Sequence, residues 1–147
     1  MAQMTYSFLD TNCSIVGPGG AFDLTGGAAK EGITITPRED KSKLEIGADG
    51  SGLHQLRADK SATITIRLLK NSPTNALLSA MYDLQESTSS LWGINMISVN
   101  SNIGDEISLR YVAFKKQPTV TYAEEGPMNE WEMEAVYMDM LLAASIV

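Results

Sequence analysis

The chain has 147 residues, the length of one domain, and its 44% hydrophobic and 20% charged residues are typical of a globular protein. A formal net charge of −7 excludes general electrostatic attraction to nucleic acid as its mode of action. Cys13 is the single cysteine, which excludes an intrachain disulfide, and we expect a half-buried thiol in a strand. With no basic leader and no apolar run of about 18 residues, we expect residues 1–147 to form one soluble domain without a membrane span.

The start of the chain is predicted to consist of short strands joined by glycine-rich turns. Two β-prone pieces, Thr5–Leu9 and Asn12–Val16, precede a turn at Gly17–Gly20, and Ala21–Leu24 then completes a hairpin. A flexible connection, Thr25–Ala29, leads to the next strand.

The following stretch is predicted to form a second hairpin. Ile33 and Ile35 share one face of a strand, and a partner strand carries Leu44 and Ile46. The mixed-charge segment Pro37–Lys43 between them is expected to be the solvated tip. Residues 47–60 show little regular patterning, so we expect a long loop that contacts a partner.

The clearest pattern lies between Lys60 and Gln85, where a strand is followed by a helix. The inward positions of the strand are Ala62, Ile64, Ile66 and Leu68. Ser72 is the expected N-cap and Pro73 the first helical residue. The helix is predicted to run to about Gln85 and to pack on a sheet. Its apolar stripe consists of Leu77, Leu78, Met81 and Leu84.

Strands are also predicted in the second half of the chain. Leu91–Val99 carries apolar residues on both faces, which indicates a central or interface strand. Asp105–Lys116 is a long strand, and Pro118 confines the short piece Gln117–Tyr122 to a sheet edge or a strand start. The residues expected on one face of the long strand are Ile107, Leu109, Tyr111 and Ala113.

The last predicted strand has an acidic face and is followed by an apolar C-terminus. Trp131, Met133, Ala135 and Tyr137 alternate with Glu130, Glu132, Glu134 and Val136. The apolar C-terminus, which we expect to pack against another subunit, contains Met138, Met140, Leu141, Leu142, Ile146 and Val147.

No pattern typical of catalysis or of cofactor binding is found. His54 is the only histidine and has no metal-ligand spacing, and Ser87–Ser90 lacks the context of a nucleophilic serine. The turn at Gly17–Gly20 lacks the ending of a phosphate-binding loop. We therefore predict a protein that is not an enzyme, with no catalytic residue, cofactor or metal.

A series of short motifs resembles the tail tube proteins of tailed bacteriophages. The motifs are Tyr6-Ser7-Phe8-Leu9-Asp10, Gly17-Pro18-Gly19-Gly20, Glu31-Gly32-Ile33-Thr34-Ile35, Ile46-Gly47-Ala48-Asp49-Gly50 and Arg67-Leu68-Leu69-Lys70 followed by Ser72-Pro73 and Asn75. The resemblance implies a mainly β (α+β) fold, sandwich or barrel-like, with one flanking helix at about Pro73–Gln85. It also implies similarity to type VI secretion tube proteins.

The resemblance further implies a structural subunit that forms stacked hexameric rings around a channel. DNA would pass through this channel into the host cell without specific binding. Sheath, baseplate and tape-measure proteins would be partners, and the subunit would reside in the virion tail after synthesis in the host cytoplasm. Six copies carry a formal charge of −42, six times −7, which would repel phosphates.

Candidate site residues follow from position in such a tube. The lumen-lining candidates are Glu130, Glu132, Glu134, Asp105 and Glu106. The candidates for contacts between rings are Arg38, Glu39, Asp40, Lys41, Lys43, Leu53, His54 and Arg57. The N-terminal strand and the apolar C-terminus are expected at subunit interfaces.

Two alternatives remain open at the level of sequence. The chain could form the inner tube of a phage-derived bacteriocin or of another contractile injection system, which moves protein or only ions instead of a genome. It could instead be a β-sandwich module that stacks carbohydrate on Trp92, Trp131 and Tyr122.

Overall fold

A computed structural model describes residues 11–24, 28–101 and 103–142. Its strands are β1 (Asn12–Gly17), β2 (Gly20–Asp23), β3 (Ala28–Pro37), β4 (Ser42–Ile46), β5 (Gly52–Leu56), β6 (Ala62–Leu68), β7 (Asn95–Asn100), β8 (Glu106–Lys116) and β9 (Asn129–Leu141). Helix α1 spans Thr74–Glu86, and a 3₁₀ turn follows at Ser89–Leu91. Seven strands form an antiparallel sheet in the order β2-β1-β7-β8-β9-β6-β3, while β4 and β5 form a separate hairpin. The predicted mainly β, α+β fold with one helix is confirmed.

Strand β6 lies at the centre of one hydrophobic core, between β3 and β9. Its four inward side chains are fully buried, as predicted. Burying each large aliphatic side chain contributes up to about 1.5–3 kcal/mol, so this strand is a main source of stability. Cys13 on β1 is also buried, and desolvation, followed by repulsion from Asp23, raises the pKa of its thiol to about 12.

Helix α1 packs on the sheet through Leu78 and Met81, as predicted. The helix begins one residue later than expected, but the hydroxyl of Ser72 still accepts the backbone N–H of Thr74 at 3.3 Å. The prediction that Leu77 and Leu84 face the core is wrong, because each is almost half exposed. The apolar stripe of α1 is wider than the part of the helix that touches the sheet. The buried residues of the helix are Thr74, Leu78, Met81 and Gln85.

A buried amide pair fixes the rotation of the helix. Gln85 Nε2 donates to Asn95 Oδ1 at 2.7 Å and to the carbonyl of Pro18 at 2.9 Å. Asn95 Nδ2 donates to Gln85 Oε1 at 2.8 Å and to the carbonyl of Val112 at 3.0 Å. These bonds connect α1 to the β1–β2 turn, β7 and β8. A Cβ on Gly17 would lie 1.7 Å from Asn95 Oδ1, so this close approach requires glycine.

The pairing predicted for β3 and β4 is wrong. Strand β3 pairs with β6, with Ile35 opposite Ile64, whereas β4 pairs with β5. The segment Pro37–Lys43 is therefore not a hairpin tip, and residues 47–60 are not an irregular loop, since they contain β5. Ala28 and Ala29 belong to β3 and not to the predicted connection. Alternation identifies the faces of a strand but not its neighbour, which explains these errors.

A β-bulge at Tyr111 changes the face predicted for β8. Leu109, Val112 and Phe114 are buried, while Tyr111 has a φ of +55° and is exposed. Relative to β7 the register shifts by one residue at this point. The prediction that Tyr111 and Ala113 share a face with Leu109 is therefore wrong, because Ala113 lies between the buried Val112 and Phe114. The spacing of three and then two residues between buried side chains is the sequence signature of such a bulge.

Three smaller differences concern segment ends. Strand β7 begins only at Asn95, because the 3₁₀ turn and Gly93, with a φ of +80°, precede it. Its central position between β1 and β8 is confirmed. The short strand predicted at Gln117–Tyr122 is wrong, since residues 117–128 contain none. The predictions for Thr5–Leu9, Ile146 and Val147 lie outside the described residues.

Candidate assembly surfaces

The outer faces of β3, β6 and β9 form a continuous polar surface, which we call the polar wall. Trp131, Met133 and Ala135 point into the core, so the glutamates between them point outward, as predicted. In register, Glu130 lies opposite Arg67 and Glu134 opposite Thr63. The wall consists of Thr34, Thr36, Thr63, Thr65, Arg67, Glu130, Glu132 and Glu134.

The acidic residues of the wall are neutralised by basic residues beside them. Arg67 lies 3.4 Å from Glu130, and Lys115 lies 3.6 Å from Glu132 and 3.8 Å from Glu134. Arg38 adds a contact of 3.7 Å to Glu134. Each such exposed pair contributes at most about 1 kcal/mol to stability. Their main effect is to give the wall alternating charge instead of a bare acidic row.

Asp105 and Glu106, the other lumen-lining candidates, are not near these glutamates. Glu106 pairs with Leu141 at one end of the β8–β9 ladder, whereas Glu132 pairs with Lys116 at the other. Ten residues of β8 separate the two positions, a distance of about 33 Å along the strand. The structure therefore divides the predicted acidic candidates between two ends of the sheet.

The β4–β5 hairpin brings the inter-ring candidates together. Lys43 lies on β4, Leu53 and His54 lie on β5, and residues 38–41 and Arg57 form the base. The amide of Arg57 donates to the carbonyl of Lys41 at 2.8 Å, and the amide of Arg38 donates to the carbonyl of Ser61 at 3.1 Å. Arg57 also lies 3.8 Å from Glu39. These contacts fix the position of the hairpin base on the domain.

The tip of the hairpin is a tight turn at residues 47–51. The amide of Gly47 donates to the carbonyl of Ser51 at 2.7 Å, and Gly50 has a φ of +89°. The hydroxyl and the amide of Ser51 donate to Asp49 Oδ1 at 2.7 and 3.0 Å and lower the pKa of that carboxyl group. The turn is therefore held by its own hydrogen bonds.

One face of the hairpin is apolar, a feature that the predicted pairing concealed. Leu44, Ile46 and Leu56 lie on the same face, which also carries Ser42 and His54, and we call the three apolar residues the hairpin ridge. A Cβ on Gly52 would lie 3.5 Å from Ile46 Cδ1 and 3.6 Å from Leu44 Cδ1, so glycine leaves these side chains uncovered. All residues of β4 and β5 are exposed. The sequence signal was present in the alternation around Leu44 and Ile46, but it was assigned to the wrong partner strand.

A second apolar surface crosses the outer face of β1, β7, β8 and β9. Val16 pairs with Met96, Met96 lies opposite the bulge at Tyr111, and Tyr111 lies opposite Val136. We call these four residues the apolar row, and their side chains are 47% to 66% exposed. An open hollow of about 410 Å³ adjoins its Tyr111–Val136 end. Sequence analysis missed the row because its members come from four separate strands.

The aromatic platform proposed for carbohydrate is not formed. Trp131 is buried, and its Nε1 donates to Asn75 Oδ1 at 3.0 Å. Trp92 makes an edge contact with Tyr82, at 5.7 Å between ring centroids. Both tryptophans therefore belong to the aromatic packing between helix and sheet, and the carbohydrate-binding alternative loses its platform.

Within the described residues, no three metal-ligating side chains come together, and no helix is long and apolar enough to cross a membrane. The surface features with the most marked chemistry in this part of the chain are thus the polar wall, the hairpin ridge and the apolar row.

Comparison with known proteins gives one family and several similar folds. The sequence profile described as "Bacteriophage PhiTE tail tube protein" matches residues 3–143. A chain from the cryo-EM structure of the anti-feeding prophage baseplate, six-fold symmetrised, superposes with a TM-score of 0.55. It is 16% identical, and the alignment covers 96% of this chain and 97% of that one. No curated protein sequence matches significantly.

A second similar structure comes from the anti-feeding prophage cap, described as a tube-terminating cap. It also has a TM-score of 0.55, at 10% identity, over 96% of this chain and 93% of that chain. At such low identity, these two likenesses establish a shared fold.

Proposed function

The chain belongs to the bacteriophage PhiTE tail tube protein family, and from this premise we propose that its copies form hexameric rings that stack into a hollow tube. The tube conducts DNA into the host cell. The observation that carries the proposal is the family match over residues 3–143, nearly the full chain. This match supports a structural role in the phage tail, without catalysis. It also supports the proposal that residues 1–147 act as one domain.

The polar wall is the proposed lining of the channel. Its cations are held in ion pairs with Glu130, Glu132 and Glu134, so DNA phosphates would find no cluster of uncompensated positive charge. The net charge of −7 per copy adds a general repulsion. Asp105 and Glu106 are proposed to lie at the other end of the lumen, since Glu106 alternates with the core-packed Ile107. Such a channel lets DNA pass without specific binding.

The remaining surfaces are proposed to make protein contacts. The β4–β5 hairpin, with the candidates from Arg38 to Arg57, reaches the adjacent ring. Leu141 and Leu142 are exposed at the end of β9, which supports a subunit interface there. Sheath, baseplate and tape-measure proteins are the proposed partners within the virion tail, after synthesis in the host cytoplasm.

The fold likeness to anti-feeding prophage chains favours a second candidate. In this alternative the chain forms the inner tube of a phage-derived bacteriocin or another contractile injection system, and the cargo is protein. Recovery of the tube from particles without a genome would favour this alternative over a phage tail.

Electron microscopy of the purified protein tests the proposed assembly. At high concentration, negative-stain images are expected to show rings or hollow tubes with six-fold symmetry. A strict monomer at every concentration, confirmed by sedimentation velocity, would contradict the proposal. A baseplate fraction is added as a nucleus, so that slow initiation of polymerisation is not mistaken for a failure to assemble.

The channel lining is tested by reversing the charge of the polar wall. Replacing Glu130, Glu132 and Glu134 with lysine is expected to leave tubes intact but to impair DNA delivery, because unpaired cations would retain phosphates. The matched control replaces the same residues with glutamine. Full infectivity of the lysine variant would remove the wall from the channel.

A further inference from the structure

Among the described residues, Tyr111 is the only one other than glycine whose φ is positive, at +55°. Glycine adopts this left-handed conformation readily, whereas in tyrosine the Cβ crowds the backbone. The residue is nevertheless 58% exposed on the outer face of the sheet, so burial of its own ring does not hold it in place. An unfavourable conformation of this kind persists only where the surrounding structure imposes it.

The bulge that contains Tyr111 lies between two anchored residues of β8. Leu109 pairs with Ile97, and Val112 pairs with Asn95. Three steps along β8 therefore correspond to two steps along β7. Leu109 and Val112 are both fully buried, so the extra residue is accommodated between two side chains that core packing fixes. The conformation of Tyr111 thus depends on what holds Val112 opposite Asn95.

The side chain of Asn95 holds that register. Its Nδ2 donates to the carbonyl of Val112, the residue directly after Tyr111, at 3.0 Å. The same amide group exchanges two hydrogen bonds with Gln85, at 2.7 and 2.8 Å. Asn95 and Gln85 are fully buried, and hydrogen bonds are stronger in such an environment than in water.

Gln85 connects this contact to helix α1 and to the β1–β2 turn. Its Nε2 also donates to the carbonyl of Pro18 at 2.9 Å. A Cβ on Gly17 would lie 1.7 Å from Asn95 Oδ1, so the amide pair fits closely against the backbone of β1. Because protein interiors are close-packed, the amide of Asn95 can turn only if its neighbours move as well.

We propose that Asn95 is the positioning residue of Tyr111 and that Gln85 makes this positioning dependent on helix α1. The helix packs on the inner face of the sheet, and Tyr111 is exposed on the outer face. The two buried amides connect these faces through hydrogen bonds. The inference concerns the folded monomer, so it holds or fails independently of the proposed assembly.

The groups that hold Tyr111 are neutral, whereas those that hold Tyr137 are charged. Lys60 and Arg110 lie 4.6 and 4.4 Å from the centroid of the Tyr137 ring, and both cations are exposed. Salt screens electrostatic contacts of exposed charges. The buried amide bonds carry no net charge, so high salt should leave the backbone at Tyr111 unchanged.

Nuclear magnetic resonance of the isotope-labelled monomer reads the backbone of residue 111 directly. A positive φ brings the amide and Hα protons of one residue closer together than the negative φ of an extended strand does. The short distance gives a strong cross-peak between these two protons. If the amide pair contributed only to stability, this cross-peak would be the same in every variant that folds.

Two variants test the two parts of the inference. Gln85→Leu changes the helix and leaves β7 and β8 unaltered, so an effect at residue 111 must pass through the amide pair. Asn95→Ala removes the hydrogen bond to Val112 itself. Both variants are expected to lose the strong cross-peak at residue 111, and circular dichroism identifies the variants that fold.

Asn75→Ala is the matched control. The side chain of Asn75 makes three hydrogen bonds, one of them to Trp131 on β9. The side chain of Asn95 also makes three. The bonds of Asn75 end on the β6–α1 turn and on β9, away from the bulge, so this variant is expected to keep the strong cross-peak.

Each outcome bears on one claim. An unchanged cross-peak in Gln85→Leu overturns the dependence on the helix, and an unchanged cross-peak in Asn95→Ala overturns the inference as a whole. Loss of the cross-peak in Asn75→Ala, or in the native protein at high salt, also overturns it, because general destabilisation or surface charge would then control the bulge. If Asn95→Ala does not fold, Gln85→Leu decides.

Discussion

Strands β6 and β4 carry the same alternating pattern but have opposite environments. In β6, Ile64 and Ile66 are fully buried against α1 and the neighbouring strands. In β4, Leu44 and Ile46 are more than half exposed. Alternation therefore shows that a strand has a face to bury, but not whether its own chain buries that face. We infer that β6 stabilises the monomer and that β4 contributes to the assembly.

The largest expected effect comes from a charge in the core between α1 and the sheet. Met81→Asp would bury an unpaired carboxylate and should cost more than about 4 kcal/mol, enough to abolish soluble folding. Leu77→Asp, on the exposed side of the same helix, is the control and should cost less than about 1 kcal/mol. Urea unfolding followed by circular dichroism measures both. Equal loss of stability would show that Leu77 is buried after all.

A smaller effect is expected from the buried amide pair. Gln85→Leu removes the donor to Asn95 Oδ1 and to the carbonyl of Pro18, and should lower the free energy of unfolding by about 1–3 kcal/mol. The double variant Gln85→Leu with Asn95→Leu should cost less than the sum of the single variants, because the two amides satisfy each other. Strict additivity in this cycle would refute the coupling.

The core also predicts a pH dependence through Cys13. Its pKa is raised from 9.0 to about 12 in the folded state, so the folded protein holds the proton more tightly than the unfolded chain. The corresponding stability is complete below pH 9.0 and falls by up to about 1.4 kcal/mol per pH unit between the two pKa values. Denaturant titrations at pH 8, 9 and 10 measure the slope. Cys13→Ala should remove this contribution to stability. If the free energy of unfolding fell with pH as steeply in that variant, other groups would be responsible for the pH dependence.

Sequence patterns predicted the local elements that depend on neighbouring residues. The strand at Ala62–Leu68 and the helix after Ser72 were correct because alternation and capping are set within a few residues. The partner of β3 was wrong, since its pairing with β6 joins residues about 30 positions apart and no local signal specifies it. The same limit applies to the candidate sites. The outward glutamates of β9 were predicted, whereas the apolar row depends on the register of four strands.

Burial of Gln85 was missed for a related reason. A glutamine at the end of a helix is usually solvated, and its burial here depends on Asn95, which lies ten residues further along the chain. The exposure of Leu77 and Leu84 follows from the same contact, because the amide pair sets the rotation of the helix. Sequence alone gives the width of an apolar stripe but not which part of it touches the sheet.

Hydrogen exchange gives the most direct test of the difference between β6 and the hairpin. Amides of β4 and β5 should exchange rapidly in the dilute native monomer and slowly in native tubes. Amides of β6 should be protected in both samples, since the core of each monomer buries them. Equal protection of the hairpin in monomer and tubes would contradict the assignment of β4 to the assembly, because no second copy would then cover it.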